Sequence, residues 1–222
     1  MTHKVKILST SLVTHDVKRF VVEKPRGFKF KPGQAVEVII NKKDWKDEVR
    51  PFTFTCLNND LVLEFMIKTY PEHEGVTDKI HELKPGDELI LGKVFGTINY
   101  QDKGTFIAGG AGITPFMAIF RDLREKGELV GNKLIFSNKK AHDIILEKEL
   151  KEYFNPEDLI LITTNEKDSG YETRRIDKDF LKEKITDFNQ YFYLCGPPAM
   201  VEDMKKNLKT LGADITKIVF EK

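Results

Sequence analysis

Thiols are almost absent from this chain: Cys56 and Cys195 are the only two among 222 residues. Two are too few for a disulfide framework, a four-thiolate zinc site or a protein-ligated iron–sulfur cluster, so a redox centre here has to be an organic cofactor. Net charge is equally scarce. The 36 Lys and Arg against 35 Asp and Glu leave +1, which gives no global reason to expect nucleic acid or an anionic membrane as partner. No stretch approaches the ~20 apolar residues of a bilayer-spanning helix, and the opening MTHKVKILSTSLVTHDVKRF lacks the apolar block of a secretory signal. The expectation is a cytoplasmic protein.

What is present is a folding mixture. With 40% apolar and 32% charged residues the chain is not of the disordered class, and its length suits two domains of about 100 residues each. Up to residue 100 it is a series of short β-rich runs: VKILSTSLV, VKRFVVEKP, QAVEVII, RPFTFTCL, LVLEFMIKTY and DELILGKVF. Alternation at Leu61, Leu63, Phe65 and Ile67 marks half-buried strands, and FKPGQ, LNND and LKPGDE supply turns between runs. Six strands with one short helical candidate, TDKIHEL, predict a closed antiparallel six-stranded β-barrel.

After Gln101 the grammar changes. TFIAGG, KLIFSN, LILITTN, YFYLCG and KIVFEK read as strands, and helical periodicity falls at 115–126, 146–154, 178–185 and 199–211. Strands alternating with helices predict a doubly wound α/β domain with a parallel five-stranded sheet. The boundary is expected between Tyr100 and Gly104, in the polar stretch NYQDKG, giving domains 1–100 and 101–222.

Four stretches carry chemistry. In AGGAGITP, 108–115, the turn from strand to helix is nearly bare of side chains, with Thr114 as a prospective N-cap and Pro115 at the first helical position. It is either a tight turn or a cradle whose amides and helix dipole receive a phosphate or pyrophosphate. No acidic residue ends the next strand; it ends at FSNKK, where Ser137 and Asn138 can bond a ribose or adenine and Lys139 can meet a 2′-phosphate, or where a charged surface simply meets water. Cys195 ends the fourth parallel strand, on the same rim as Gly110 to Thr114. It is a small buried hydrophobe, a nucleophile, or a compact wall for a flat ring kept clear by Gly196 and Pro197. The nucleophile lacks a base, since His3, His15, His73, His81 and His142 are all remote in sequence. Finally, Arg50 in RPFTFT suits a phosphate or a surface carboxylate. Gly75, Val76 and Thr77 open a helix, and Ile67, Lys68 and Thr69 on the strand before offer backbone and cationic contacts.

In this order RPFT, GVT, GGAGITP and CGPPAM resemble the four signatures of the ferredoxin-NADP reductase superfamily of flavoenzymes, and FKPGQAVEV and LKPGDELILGKVFGTI resemble its barrel. The likeness runs along essentially the whole chain. It implies a flavin-binding barrel followed by an NAD(P) domain, with FAD rather than FMN as cofactor, NADH or NADPH as co-substrate, and the flavin ring at the seam. By position, Arg50 and Pro51 accompany the flavin phosphate, Phe52 flanks the ribityl chain and ring, Thr53 bonds the hydride-accepting nitrogen, and Gly75 to Thr77 cap the pyrophosphate beside Ile67, Lys68 and Thr69. Gly110, Gly112, Ile113, Thr114 and Pro115 hold the nucleotide pyrophosphate. Cys195, Gly196, Pro197 and Met200 steer the nicotinamide, and Glu221 takes a proton or orienting role. Phe52 stands where tyrosine is common, and the chain ends Phe220, Glu221, Lys222 where the family often has a flavin-shielding aromatic.

The expected activity is an NAD(P)H-dependent flavoprotein reductase that passes electrons to a separate acceptor such as ferredoxin or flavodoxin. The alternatives are a non-catalytic flavin- and nucleotide-binding subunit of a larger complex, or cysteine chemistry resting on Cys195 alone. Lys42, Lys43 and Lys46 beside Trp45 form either a docking patch for an acidic partner or a solvated loop.

Overall fold

The computed structural model describes residues 2–70, 75–96, 98–167 and 169–221; His73 lies outside them. Two compact units emerge: residues 1–99 together with 114–122, and residues 100–113 together with 123–222. The helical segment 114–122 therefore packs as part of the first unit, although it follows the first strand of the second.

The first unit is built on β1 (His3–Leu12), β2 (Val17–Glu23), β3 (Ala35–Ile40), β4 (Val49–Thr53), β5 (Val62–Lys68) and β6 (Glu88–Phe95), with the short helix α1 (Val76–His81) between the last two strands. All pairings are antiparallel, in the order β4-β3-β6-β1-β2-β5. The ends of this order meet at an isolated antiparallel bridge between Phe54 and Phe65, where the Thr55 amide also donates to the Glu64 carbonyl at 3.0 Å. Closure thus rests on a few bonds. Alternate residues fill the interior: Leu63, Phe65 and Ile67 on β5 are buried, and Phe54 stacks on Phe30 with centroids 4.0 Å apart. Leu61 departs from the expected alternation and is 93% exposed. It sits in the turn before β5 begins, so the period of two does not yet apply to it.

The second unit contains β7 (Gly104–Gly109), β8 (Lys133–Asn138), β9 (Leu159–Thr163), β10 (Tyr191–Cys195) and β11 (Ile218–Phe220), with α3 (Glu147–Tyr153), α4 (Lys178–Lys184) and α5 (Pro198–Thr210); α2 (Thr114–Glu125) begins the link from β7 to β8. The five strands are parallel in the order β11-β10-β7-β8-β9. β7 is buried throughout, as expected for a central strand covered on both faces.

Helix α2 begins at Thr114, directly after a 3₁₀ turn over Gly110–Ile113. Thr114 is therefore the first helical residue rather than a cap outside it, and Pro115 is the second. NYQDKG is not a free linker. Tyr100 stacks with Phe106 and Tyr193, and the Tyr193 hydroxyl accepts from the amides of Gln101 (3.0 Å) and Asp102 (3.1 Å) while donating to the Asp102 carbonyl (2.7 Å). Among the described residues no helix is long and apolar enough to cross a membrane.

Candidate functional site

In the second unit the chain leaves β7 in one direction across the sheet, through β8 and β9, and returns on the other side as β10. The carboxyl ends of β7 and β10 thus flank a switch point, where open parallel sheets bind ligands. Ala108 pairs with Cys195, so AGGAG and CGPP leave the sheet side by side, as the sequence predicted for one rim.

The glycines are needed there. A Cβ on Gly112 would lie 2.3 Å from the Cys195 carbonyl oxygen and 2.6 Å from the Gly196 nitrogen, a backbone clash that no rotamer relieves. Gly110 has φ +52°, and a Cβ there would meet nothing within 4 Å. This is the left-handed region, which glycine enters without penalty, and the space beside it is open. Ile113 is fully buried and anchors the turn. Directly after it α2 begins, so the positive end of the helix dipole lies at this turn. The result is a cradle of backbone donors fitted to a pyrophosphate.

One strand over, Asn138 closes β8. It is 5% exposed, yet neither its Nδ2 nor its Oδ1 has a hydrogen-bond partner. A buried amide left unsatisfied costs roughly 1–3 kcal/mol, so its presence marks a place for a polar ligand. Ser137, half-buried, pairs with Gly109, which puts both residues next to the cradle. The orphaned amide and the side-chain-free turn together fit an adenosine nucleotide.

Cys195 is half-buried, and burial pushes its thiol up to about 12, with the Glu221 carboxylate adding to the rise. A thiol so held is neutral in ordinary buffers and is not an activated nucleophile. This favours the wall reading over cysteine chemistry. Glu221 follows β11, in which Phe220 pairs with Leu194, so the carboxylate stands next to the thiol. Phe220 itself belongs to the sheet: it packs against the core of this unit, with Lys205 Nζ 4.2 Å from its ring centroid. Met200, on α5, puts its sulfur where a Cβ on Gly109 would be, at 2.5 Å. It packs against the turn, and a Cβ on Gly109 would also meet Pro197 Cδ at 3.0 Å.

In the first unit, β4 lies at the end of the strand order. Phe52 and Thr53 are half-buried, and Phe52 packs against the barrel core. Arg50 and Pro51 are exposed. The Arg50 guanidinium donates to the Val49 carbonyl at 2.8 Å and meets Glu48 at 3.2 Å, so its fork is paired with a surface carboxylate, as the plainer reading of the sequence allowed. An anion has to displace that contact.

At the far end of β5, Asp16 from the β1–β2 turn pairs with Lys68 and accepts the Thr69 amide on its carbonyl at 2.8 Å. Burial alone would raise the Asp16 carboxyl, but hydrogen bonds from Lys68 and Thr14 bring it below its usual value. Gly75 caps α1 without any side-chain cap bond; Val76 is buried and Thr77 half-buried. With only six residues α1 has little dipole. Half-buried Phe52 and Thr53 on β4 and the Asp16-paired Lys68 at the β5 end are the barrel groups that suit a flat ring carrying phosphates.

Sequence reasoning missed the residues that brace these places. His81 Nε2 sits 2.7 Å from the Ile67 carbonyl, and Lys18 Nζ donates to the carbonyls of His81 (2.8 Å) and Leu83 (2.9 Å). Arg121 Nη1 donates to Glu64 Oε1 and to the Thr55 carbonyl. A lysine in VKRF, an isolated histidine and an arginine on a helix carry no motif, because their partners come from distant segments. Lys42, in the basic loop, is paired with Asp87 at 3.2 Å, which leaves Lys43 and Lys46 as that loop's exposed cations.

Comparison with known proteins agrees with this division. Residues 2–87 match a family model described as an FAD-binding domain, and residues 106–206 one described as an oxidoreductase NAD-binding domain. Among curated relatives, NADH-cytochrome b5 reductase 2 of Mycosarcoma maydis is 29% identical over 85% of this chain, which spans 59% of that protein's length. The ferredoxin–NAD(P)(+) reductase component of the naphthalene 1,2-dioxygenase system of Pseudomonas putida is 26% identical over 96% of the chain and 67% of its own length. In fold, a ferredoxin NADP+ reductase from Neisseria gonorrhoeae, solved with FAD and NADP, superposes with a TM-score of 0.83 at 21% identity, covering 99% of this chain and 98% of that one. The flavohem-like FAD/NAD-binding domain of the Vibrio cholerae nitric oxide dioxygenase gives 0.85 at 20% identity, covering 98% and 97%. With an FAD-binding barrel, a parallel NAD-binding sheet and the glycine cradle at its switch point, the chain belongs to the ferredoxin-NADP reductase superfamily of flavoenzymes.

Proposed function

We propose that this protein is an NAD(P)H-dependent flavoprotein reductase that hands electrons to a separate carrier, such as a ferredoxin, a flavodoxin or a cytochrome of the b5 kind. The observation that carries the reading is the β7–β10 switch point, where Gly112 lies against the Cys195 backbone and the buried Asn138 amide waits one strand away. A tight turn without a ligand has no use for an unsatisfied buried amide.

Bound FAD supplies the chemistry: it takes two electrons with a hydride and gives them up singly. The chain supplies position. The amides of Gly110 to Thr114 and the start of α2 hold the nucleotide pyrophosphate, and Ser137 and Asn138 bind its adenosine end. Cys195, neutral and compact, with Gly196 and Pro197, leaves a flat wall for the nicotinamide, and Glu221 orients it. On the barrel, Arg50 releases Glu48 to meet a flavin phosphate, Phe52 lies along the ribityl chain and Thr53 donates to the ring. Ile67, Lys68, Thr69 and Gly75 to Thr77 surround the remaining phosphates. Holding two reactants in a near-attack arrangement supplies about 7–11 kcal/mol of a barrier. None of these roles requires a charged nucleophile, in keeping with a thiol held at about 12.

The test is the cofactor content and turnover of the purified protein. The reading expects a yellow protein that releases FAD on denaturation and reduces ferricyanide at ordinary enzyme rates with NADH or NADPH. A colourless protein that takes up no added flavin overturns it, and one that binds both nucleotides without turnover is a binding subunit instead.

A further inference from the structure

We propose that His81 and Lys18 are positioning residues for the flavin, which fix the carboxyl end of β5 in the shape that receives it. This rests on the flavin reading above. Ile67, Lys68 and Thr69 form the last stretch of β5 and the residue after it. Three residues outside the strand hold them. His81, the last residue of α1, reaches back 14 positions to the Ile67 carbonyl at 2.7 Å. Asp16 pairs with Lys68 and accepts the Thr69 amide. The Thr69 hydroxyl meets Asp78 at 3.4 Å.

Lys18 locks the histidine in turn. Its stem crosses the Phe20 ring, with Nζ 5.3 Å from the centroid, and its ammonium caps α1 by donating to the carbonyls of His81 and Leu83. The His81 ring meets the edge of Phe20 at 6.2 Å, so it has little freedom to turn. Asp16 holds the strand end from one side, and His81, braced by Lys18, ties α1 back to the Ile67 carbonyl.

The arrangement assigns a tautomer. A carbonyl accepts only, so in the neutral ring it is Nε2 that carries the proton, and the bond to Ile67 survives protonation while burial and the Lys18 ammonium oppose it. Burial lowers the His81 pKa, and the Lys18 ammonium lowers it further; the bond to Ile67 and the carboxylates of Asp78 and Asp16 act the other way without reversing the result. The charged groups around the ring are thus Lys18 on β2, Asp16 in the β1–β2 turn and Asp78 on α1, with Lys84 behind Lys18. The ordered corner prefers the neutral ring, and an opened corner leaves the histidine near its ordinary value of about 6.5. Acid therefore drains the competent corner, and apparent flavin affinity falls with its population.

The experiment is FAD titration of the apoprotein, read by flavin fluorescence quenching between pH 5.5 and 8, with thermal unfolding of each apoprotein followed by Trp45 fluorescence. The expectation is that the wild-type Kd is flat above about pH 7 and rises as pH falls below about 6.5. His81→Leu raises the Kd about 10-fold at pH 7.5, the size of one hydrogen bond. His81→Gln, whose amide still donates to Ile67, keeps the Kd within about 3-fold of wild type but loses the acid rise. Lys18→Met weakens binding in the same direction as His81→Leu. Wild-type affinity in His81→Leu, or an acid rise that persists unchanged in His81→Gln, overturns the proposal. If His81→Leu does not fold, the His81→Gln pH profile decides. Failure of the wild-type protein to bind FAD at all refutes the flavin reading instead, so the two outcomes are distinct.

Discussion

Arg121 on α2 reaches Glu64 on β5 at 2.8 Å, and the same nitrogen donates to the Thr55 carbonyl at 2.6 Å, two residues beyond the end of β4. The two charged side chains are only 18% and 15% exposed, and Glu64 also accepts the Thr55 hydroxyl at 2.8 Å and faces Arg19 at 3.4 Å. This places helix segment 114–122 on the barrel at the strand pair that completes it.

Breaking that pair from one side leaves a charge without its partner in a half-dry setting. Fully buried cases cost about 3–5 kcal/mol, and the residual exposure here puts Arg121→Met and Glu64→Gln at about 2–3 kcal/mol each. The double variant is expected to cost less than the sum, because neither Arg121 nor Glu64 is then left without the other; Arg19, which faces Glu64, loses it in the Glu64→Gln and double variants alike, so that loss cancels in the cycle. Urea unfolding followed by Trp45, the only tryptophan and one packed on the barrel core, measures this directly. Additive losses would show that the two side chains do not act as a pair.

Gly112→Ala is expected to weaken nucleotide binding and spare flavin binding. Its Cβ would lie 2.3 Å from a backbone carbonyl, so the cradle has to shift, and overpacking of this kind costs about 1–3 kcal/mol. That corresponds to a Kd for NAD(P)H raised roughly 5- to 150-fold, read by nucleotide titration of the FAD-loaded protein. An unchanged Kd would remove the turn from the nucleotide site.

Asn138→Leu separates stability from function. Replacing an unsatisfied buried amide by an apolar group of like size is expected to raise the stability of the nucleotide-free protein by about 1 kcal/mol, while raising the NAD(P)H Kd about 10-fold through the loss of one or two hydrogen bonds. Thermal unfolding with and without nucleotide checks both halves. Lower stability together with unchanged affinity would make Asn138 a purely structural residue.

Much of this was legible in the sequence, and the reasons differ by feature. The four ordered signatures fall on β4, the start of α1, the β7–α2 turn and the end of β10 because each uses residues whose backbone chemistry is local: bare glycines, a proline near a helix start, a thiol at a strand end. Period-two alternation found the six barrel strands and erred only at Leu61, where the strand had not begun. The bracing contacts were not legible. His81 to Ile67 spans 14 positions, Lys18 to His81 spans 63 and Arg121 to Glu64 spans 57, and no local pattern encodes a pairing that only the closed barrel creates.

Both thiols are expected to be slow. Burial holds Cys195 at about 12 and Cys56 at about 11, so at pH 8 fewer than about one in a hundred of either is thiolate. Ellman's reagent added to the native protein should show no fast-reacting group, and two equivalents after denaturation. Activity should lack a thiolate limb between pH 6 and 9. A rapidly modified Cys195 would contradict the neutral-wall role and reopen cysteine chemistry.

The most direct measurement is anaerobic mixing of the FAD-loaded protein with a slight excess of NADH or NADPH while the flavin absorbance near 450 nm is recorded. The account predicts that the yellow band bleaches with one of the two nucleotides, at a rate that saturates with nucleotide concentration and falls in Gly112→Ala. A flavin band that persists unchanged with both nucleotides would contradict hydride delivery to the barrel and leave only a binding role.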